Sequence, residues 1–247
     1  MQLFLVRHAQ SENNATIDHP GKRLADPPLT DIGVAQARHL ARYLTRATDT
    51  DRASDMLAWR YGGYEHMNMS FDRLLTSPML RALQTTKPIA AALEVPVKVW
   101  LDIFERGGPV GRNEEDKNRR VQGITRTDLR RDYPDYDLPA QISDAGWWRG
   151  GEETRDASRI RAQKTAVKLR HLAKNEWQSK NVLLVSHAGF MDALLKAILL
   201  EELPAGEETT FFYFYNTSIS RIDFLANGHM GVRYLNRIPH LPPEKVT

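Results

Sequence analysis

The sequence predicts an α/β fold, a three-layer sandwich in which a mixed, mostly parallel sheet carries helices on both faces. Three observations lead there. Leu3–Val6 and Val182–Val185 are short, wholly apolar and β-prone, as strands buried on both faces of a parallel sheet are. Stretches with apolar residues at helical spacing follow the strand candidates, and strands alternating with helices read as parallel crossover units. Near the end, β runs flank Asn227-Gly228, a strong hairpin signal that adds an antiparallel edge.

The elements follow in order. The first strand ends at Arg7-His8 and gives way to a polar loop, then to an irregular segment broken by Pro20-Gly21 and Pro27-Pro28. Thr30 reads as an N-cap, and Val34, Ala37, Leu40, Ala41 and Leu44 trace one face of a helix over 31–46. Phe71–Thr76 reads as a strand. Ser77 as N-cap with Pro78 at the first helical position starts the next helix and puts Arg81 in its first turn, with a kink or restart expected at Pro88. Val95–Ile103 reads as a strand whose Pro96 marks an edge or a start, and it delivers Glu105. A helix over about 152–174 is expected, with Ala157, Ile160, Lys164, Val167 and Leu172 tracing one stripe whose lysine stands at its margin. Asn181–Ser186 is a strand ending at His187, with a helix over 190–200 after it. Phe211–Tyr215, Ser218–Leu225 and Val232–Leu235 read as β. The whole, 1–247, is taken as one domain with insertions at about 48–70 and 107–150, where Trp147, Trp148 and an arginine-rich run at 112–131 would form lid or substrate loops.

Composition narrows the function. The chain has 247 residues, a net charge of only +3 and no cysteine. A thiol nucleophile, a disulfide framework and a Cys-ligated metal are excluded. The arginines of 112–131 alternate with Glu114, Glu115, Asp116 and Asp128, so the run reads as a solvated excursion rather than a nucleic-acid face. No leader is visible at the start and no apolar run is long enough to span a membrane, so a cytoplasmic location is expected, with neither nucleic acid nor membrane as partner.

In open α/β sheets ligands bind beyond the carboxyl ends of the strands. Separate strand ends here bring Arg7 and His8, Arg81, and His187, with Glu105 following a fourth. Two guanidinium groups and two imidazoles at one edge suit a dianion such as a phosphate ester. The other histidines, His19, His39, His66, His171, His229 and His240, lack this setting.

These residues resemble the histidine phosphatase superfamily, also called phosphoglycerate mutase-like. The resemblance rests on Arg7-His8-Ala9-Gln10-Ser11-Glu12-Asn13-Asn14, on Leu29-Thr30-Asp31-Ile32-Gly33 with Gln36-Ala37, and on Ser77 to Thr85. Gly151-Glu152-Glu153-Thr154, Val182 to Gly189, Asn216-Thr217-Ser218 and Asn236 to Leu241 complete it. It implies a metal-independent, cofactor-free phosphatase in which His8 is phosphorylated, Arg7, Asn14, Arg81 and His187 hold the phosphoryl oxygens, and Glu105 is the general acid, with Asp102, Glu114 and Glu115 as alternatives. A backbone carbonyl is expected at the second nitrogen of His8. The partner would be a phosphorylated small molecule, or a peptide phosphate, and the C-terminal edge strand would suit a homodimer. A mutase of the phosphoglycerate type, or a weakly active member that binds a phosphorylated partner, are the rival readings. Ala9 stands where the family usually has glycine; were positive φ required there, alanine would cost about 1 kcal/mol.

Overall fold

The computed structural model describes residues 1–19, 21, 23–46, 70–110, 121–200 and 210–247. Six strands form one sheet: β1 (Gln2–Arg7), β2 (Arg73–Thr76), β3 (Val97–Val99), β4 (Asn181–Ser186), β5 (Ile219–Phe224) and β6 (Met230–Arg237), in the order β3-β2-β4-β1-β5-β6. The first four pair in parallel, while β5 pairs antiparallel with both β1 and β6, so the sheet is mixed and mostly parallel. Among the described residues the α-helices are α1 (Glu12–Ala15), α2 (Asp31–Arg46), α3 (Leu80–Leu93), α4 (Arg126–Asp132), α5 (Arg155–Lys174) and α6 (Ala188–Leu199).

Alternation along the central strands divides the core. Phe4, Val6, Leu74, Leu183 and Val185 pack with Leu40 and Leu44 of α2 and Leu83 and Ile89 of α3. Leu3, Leu5, Leu75, Val182 and Leu184 pack on the opposite face with Ala162, Ala166 and Leu169 of α5 and Phe190, Met191 and Leu194 of α6. A period of two, with both faces apolar, is what a strand between two helical layers requires. Among the described residues no helix is long and apolar enough to cross a membrane.

Several local expectations fail for physical reasons. Ser77 does not cap α3; Met79 occupies that position and Ser77 Oγ accepts the Met79 N–H instead. The helix runs unbroken through Pro88, with Leu83, Thr86 and Ile89 buried on either side of it, so tertiary packing overrides the lost backbone bond. β3 spans only Val97–Val99, because the chain turns into a 3-10 segment at Leu101–Ile103. The face that α5 buries is Ser158, Ala162, Thr165, Ala166, Leu169 and Ala173, while Ile160 and Val167 are exposed. Small side chains let this helix lie close to α6, and the sequence stripe of larger residues faces outward. Phe211–Tyr215 forms no strand: the Phe212 N–H donates to Asp192 Oδ1 and the Tyr215 N–H to Asn236 Oδ1, so side chains take the place of a ladder. Most of 121–150 packs into the core through Leu129, Tyr133, Tyr136, Leu138, Ile142 and Trp147. Residues 48–69 and 111–120 of the expected insertions, with Glu114 and Glu115, lie outside the described residues.

Candidate active site

Three strand ends lie side by side, because β2, β4 and β1 are neighbours in the sheet. Pairing continues past their last residues: the Ser77 N–H donates to the Val185 carbonyl at 3.0 Å and the His8 N–H to the Ser186 carbonyl at 2.9 Å. This register sets His187 between Ser77 and His8. The His187 Nε2 is 2.7 Å from Ser77 Oγ, and the His187 and His8 ring centroids are 5.0 Å apart.

His8 is buried, with Nδ1 2.6 Å from the Ala9 carbonyl oxygen. A carbonyl only accepts, so Nδ1 carries the proton and Nε2 the lone pair. Arg81, from the first turn of α3, donates from Nε to that Nε2 at 3.1 Å. Arg7 donates from Nη1 to the Phe214 carbonyl, while its Nε is buried without a partner among the described residues. Glu105 accepts from the Phe190 N–H at 2.9 Å, the Gly189 N–H at 3.2 Å and the Arg106 N–H at 2.7 Å, which holds the carboxylate over the start of α6. The five predicted residues Arg7, His8, Arg81, Glu105 and His187 thus come together at one sheet edge.

Burial and positive neighbours set the protonation states. Burial, then Arg81 and Arg7, hold His8 well below the usual imidazole range, and His187 is held there by burial, Arg81 and His8. Both rings are therefore neutral at physiological pH. Burial lowers Arg7 to about 10, against the pull of Glu105, and Arg81 is lowered for the same reason, against Asp26 and Glu105.

The loop after β1 is held by carboxamides. Asn14 Oδ1 accepts from the Ser11 N–H and Oγ, each at 3.0 Å, and from Asn216 Nδ2 at 3.4 Å, so the oxygen of Asn14 is spent on the loop and its amide N–H group is what it can offer a ligand. Asn216 Nδ2 also donates to the His8 carbonyl at 2.9 Å, and Gln36 Oε1 accepts the Gln10 N–H at 2.8 Å. Gly33 lets α2 approach: a Cβ there would sit 2.0 Å from the Gln10 carbonyl oxygen. Ala9 is absent from the positive-φ positions, which are Glu94, Ser179, Thr217 and Asn236 outside glycine, so alanine in the usual glycine place carries no backbone strain.

A cleft of about 280 Å³ opens over this edge, lined by Arg81, Glu105 and Gly189 inside and by Asn13, Arg23, Arg106 and Glu152 towards its mouth. Trp147 and Trp148 do not line it. They pack on Phe104, at centroid separations of 5.5 and 4.9 Å. Asp102 is not at the cleft; its carboxylate accepts from the Trp100 indole N–H. Among the described residues no cluster of His, Cys, Asp or Glu comes together to hold a metal ion.

Sequence reasoning missed several supporting residues. Asp26 lies 3.7 Å from Arg81 Nη1 and accepts the Leu80 N–H, yet its surroundings read only as proline-broken loop. Arg161 stacks on Phe104 at 3.6 Å, binds the Asp102 and Phe104 carbonyls and pairs with Glu153, which fixes the turn that delivers Glu105. His240 contacts Thr217 Oγ1 at 2.9 Å behind the nucleophile loop. None of these has a local sequence signal, since each acts through a partner far along the chain.

Comparison with known proteins agrees with this fold. YhfR of Bacillus stearothermophilus superposes with a TM-score of 0.57 at 18% identity, covering 97% of this chain and 98% of that one. A mycobacterial glucosyl-3-phosphoglycerate phosphatase in complex with VO3 gives 0.57 at 19% identity, over 95% and 98%. Phosphoserine phosphatase from Entamoeba histolytica in complex with 3-phosphoglyceric acid gives 0.52 at 20% identity, over 98% and 99%. A search of curated protein sequences finds no significant match. The family profile described as histidine phosphatase superfamily (branch 1) matches residues 3–58 and 63–237. With nearly its whole length matched, and with paired Arg and His side chains meeting at the carboxyl edge of the sheet, the chain belongs to the histidine phosphatase superfamily, branch 1.

Proposed function

We propose that the protein hydrolyses a small phosphomonoester through a phosphohistidine on His8. The observation that carries the reading is the fixed tautomer of His8: the Ala9 carbonyl holds Nδ1–H and leaves the Nε2 lone pair facing Arg81 and His187. Nε2 attacks phosphorus and the ester oxygen leaves, taking a proton from Glu105. Glu105 then removes a proton from water, which attacks the phosphohistidine and returns the electron pair to Nε2. Splitting one displacement into two lowers each barrier. Arg7 and Arg81 offset the charge of the equatorial oxygens, and His187 and the amide of Asn14 donate to them, the kind of positioning that supplies most of phosphoryl-transfer catalysis.

The mouth of the cleft supports a substrate with a second anionic group. Arg23 and Arg106 are exposed and come from two different loops, and guanidinium forks match carboxylate and phosphate alike. Of the carboxylates lining the cleft, Glu105 is engaged by backbone N–H groups, and Glu152 lines the same cleft.

Turnover of p-nitrophenyl phosphate in EDTA tests the chemistry. Wild-type activity that survives the chelator, disappears in His8→Ala and leaves an acid-labile phosphoenzyme is expected; turnover that persists in His8→Ala would sink the reading. Phosphoserine against phosphoethanolamine tests the mouth. A preference for the former of roughly tenfold, abolished in Arg23→Ser/Arg106→Ser, is expected for a charge-assisted contact.

A further inference from the structure

Ser77 and His187 share a second tautomer problem beside that of His8. We propose that Ser77 is a positioning residue that fixes His187 as its Nδ1–H tautomer, so that the imidazole presents an N–H donor, not a lone pair, to the transferring phosphoryl group. The inference rests on the phosphatase reading for the identity of the acceptor, but the tautomer itself follows from hydrogen-bond accounting.

Both Ser77 and His187 are buried. The His187 Nε2 and Ser77 Oγ are 2.7 Å apart, and Ser77 Oγ also accepts the Met79 N–H at 3.3 Å. The His187 Nδ1 is buried without a partner among the described residues. A neutral imidazole has one N–H and one lone pair. If Nε2 held the hydrogen, Ser77 Oγ would accept twice, its own hydrogen would have no acceptor, and the Nδ1 lone pair would be buried unmatched. Two polar groups would then be orphaned. If Nδ1 holds the hydrogen, Ser77 accepts from Met79 and donates to Nε2, and only the Nδ1–H is left, as a donor beside His8. Buried polar groups are almost always paired, so the second arrangement prevails.

Burial and the nearby Arg81 keep the ring neutral, which makes the question of tautomer real. The two histidines then carry their proton on the same atom but offer opposite ends. Ala9 occupies the N–H of His8 and frees a nucleophile, while Ser77 occupies the lone pair of His187 and frees a donor.

Two-bond proton–nitrogen correlation spectra of the full chain, labelled at histidine nitrogen, read this directly, with the His187 signals identified by their loss in His187→Gln. Wild type at neutral pH is expected to show a pyrrole-like Nδ1 and a pyridine-like Nε2. Ser77→Ala is expected to shift His187 towards the Nε2–H form and to lower kcat on p-nitrophenyl phosphate about ten- to a hundredfold, as loss of an aligned donor would. Ser77→Thr, which keeps the hydroxyl, is expected to restore the wild-type pattern. An Nε2–H ring in the wild type, or an unchanged Nδ1–H ring in Ser77→Ala, would overturn the proposal. The expected spectra from a wild type that turns over no phosphoester would instead overturn the phosphatase reading and leave the tautomer assignment standing.

Discussion

Arg81 Nε donates to His8 Nε2 at 3.1 Å, so the guanidinium occupies the very lone pair that would attack phosphorus. The contact keeps the imidazole aligned in the resting site, and an arriving phosphoryl oxygen competes for the same fork. Arg81→Ala is expected to lower kcat on p-nitrophenyl phosphate by about 10²–10³-fold, the usual cost of one preorganised donor. Arg81→Lys should recover little of it, since an ammonium lacks the planar fork. Rates near wild type in Arg81→Lys would show that only its charge matters.

Glu105 lines the cleft, where a leaving group would emerge. Glu105→Gln is therefore expected to cost about a hundredfold or more on an alkyl phosphate, whose oxygen needs a proton, and much less on p-nitrophenyl phosphate, whose oxygen does not. Gly189→Ala gives an independent check. Its Cβ would come within 2.7 Å of Glu105 Oε1, so the carboxylate must shift and the same substrate-dependent loss should follow. Equal losses on both esters would remove Glu105 as the acid.

Asp26 titrates against the fold. Burial pushes its carboxyl up to about 6 from 3.8, although Arg81 and the Leu80 N–H pull the other way. A raised carboxyl pKa means that ionisation costs stability. The cost is absent below about pH 3.8, grows through the interval and reaches roughly 2–3 kcal/mol above pH 6. Asp26→Asn, which cannot ionise, should gain on the wild type by about that amount between pH 3.5 and pH 7 in urea unfolding, while losing activity because Arg81 is no longer tethered. A difference that does not change with pH would contradict this.

His240 has the opposite slope. Burial, with the His39 charge second, lowers it to about 4 from 6.5. Its neutral form is favoured in the folded chain, so its contribution is complete above pH 6.5 and is lost as pH falls towards 4, by about 3 kcal/mol in all. His240→Asn should unfold more easily at pH 7, having lost the Thr217 contact, but its gap from the wild type should close as the pH approaches 4. Parallel stability curves for the two would rule the idea out.

The chemistry was the most legible part of the sequence. A buried apolar strand must end somewhere, and polar residues planted at that end, Arg7-His8 and His187, can only look into the edge crevice. Two of their side-chain partners were not legible, because Ser77 on His187 and Asp26 on Arg81 depend on atoms that only the tertiary fold aligns, whereas the carbonyl expected at the second nitrogen of His8 is that of the next residue, Ala9. Helix α5 misled for a different reason. Its sequence contrast is carried by Ile160 and Val167, but close packing against α6 selected alanine, serine and threonine, which periodicity reads as neutral. Likewise Phe211–Tyr215 has strand composition, yet its backbone is claimed by Asp192, Asn236 and Arg7.

The imidazoles of the proposed reaction and the guanidinium groups at the mouth of the cleft have different mechanical origins. His8, His187 and Ser77 hang from ladder bonds that tie three strands together. Arg23, Arg106 and Gly107 ride on loops that contribute nothing to the sheet. Side-chain exchanges at Arg23 and Arg106 can therefore retune the collar of the cleft, whereas the course of the two loops has to be kept, because Asp26 and Glu105 ride on them and reach Arg81 and the start of α6.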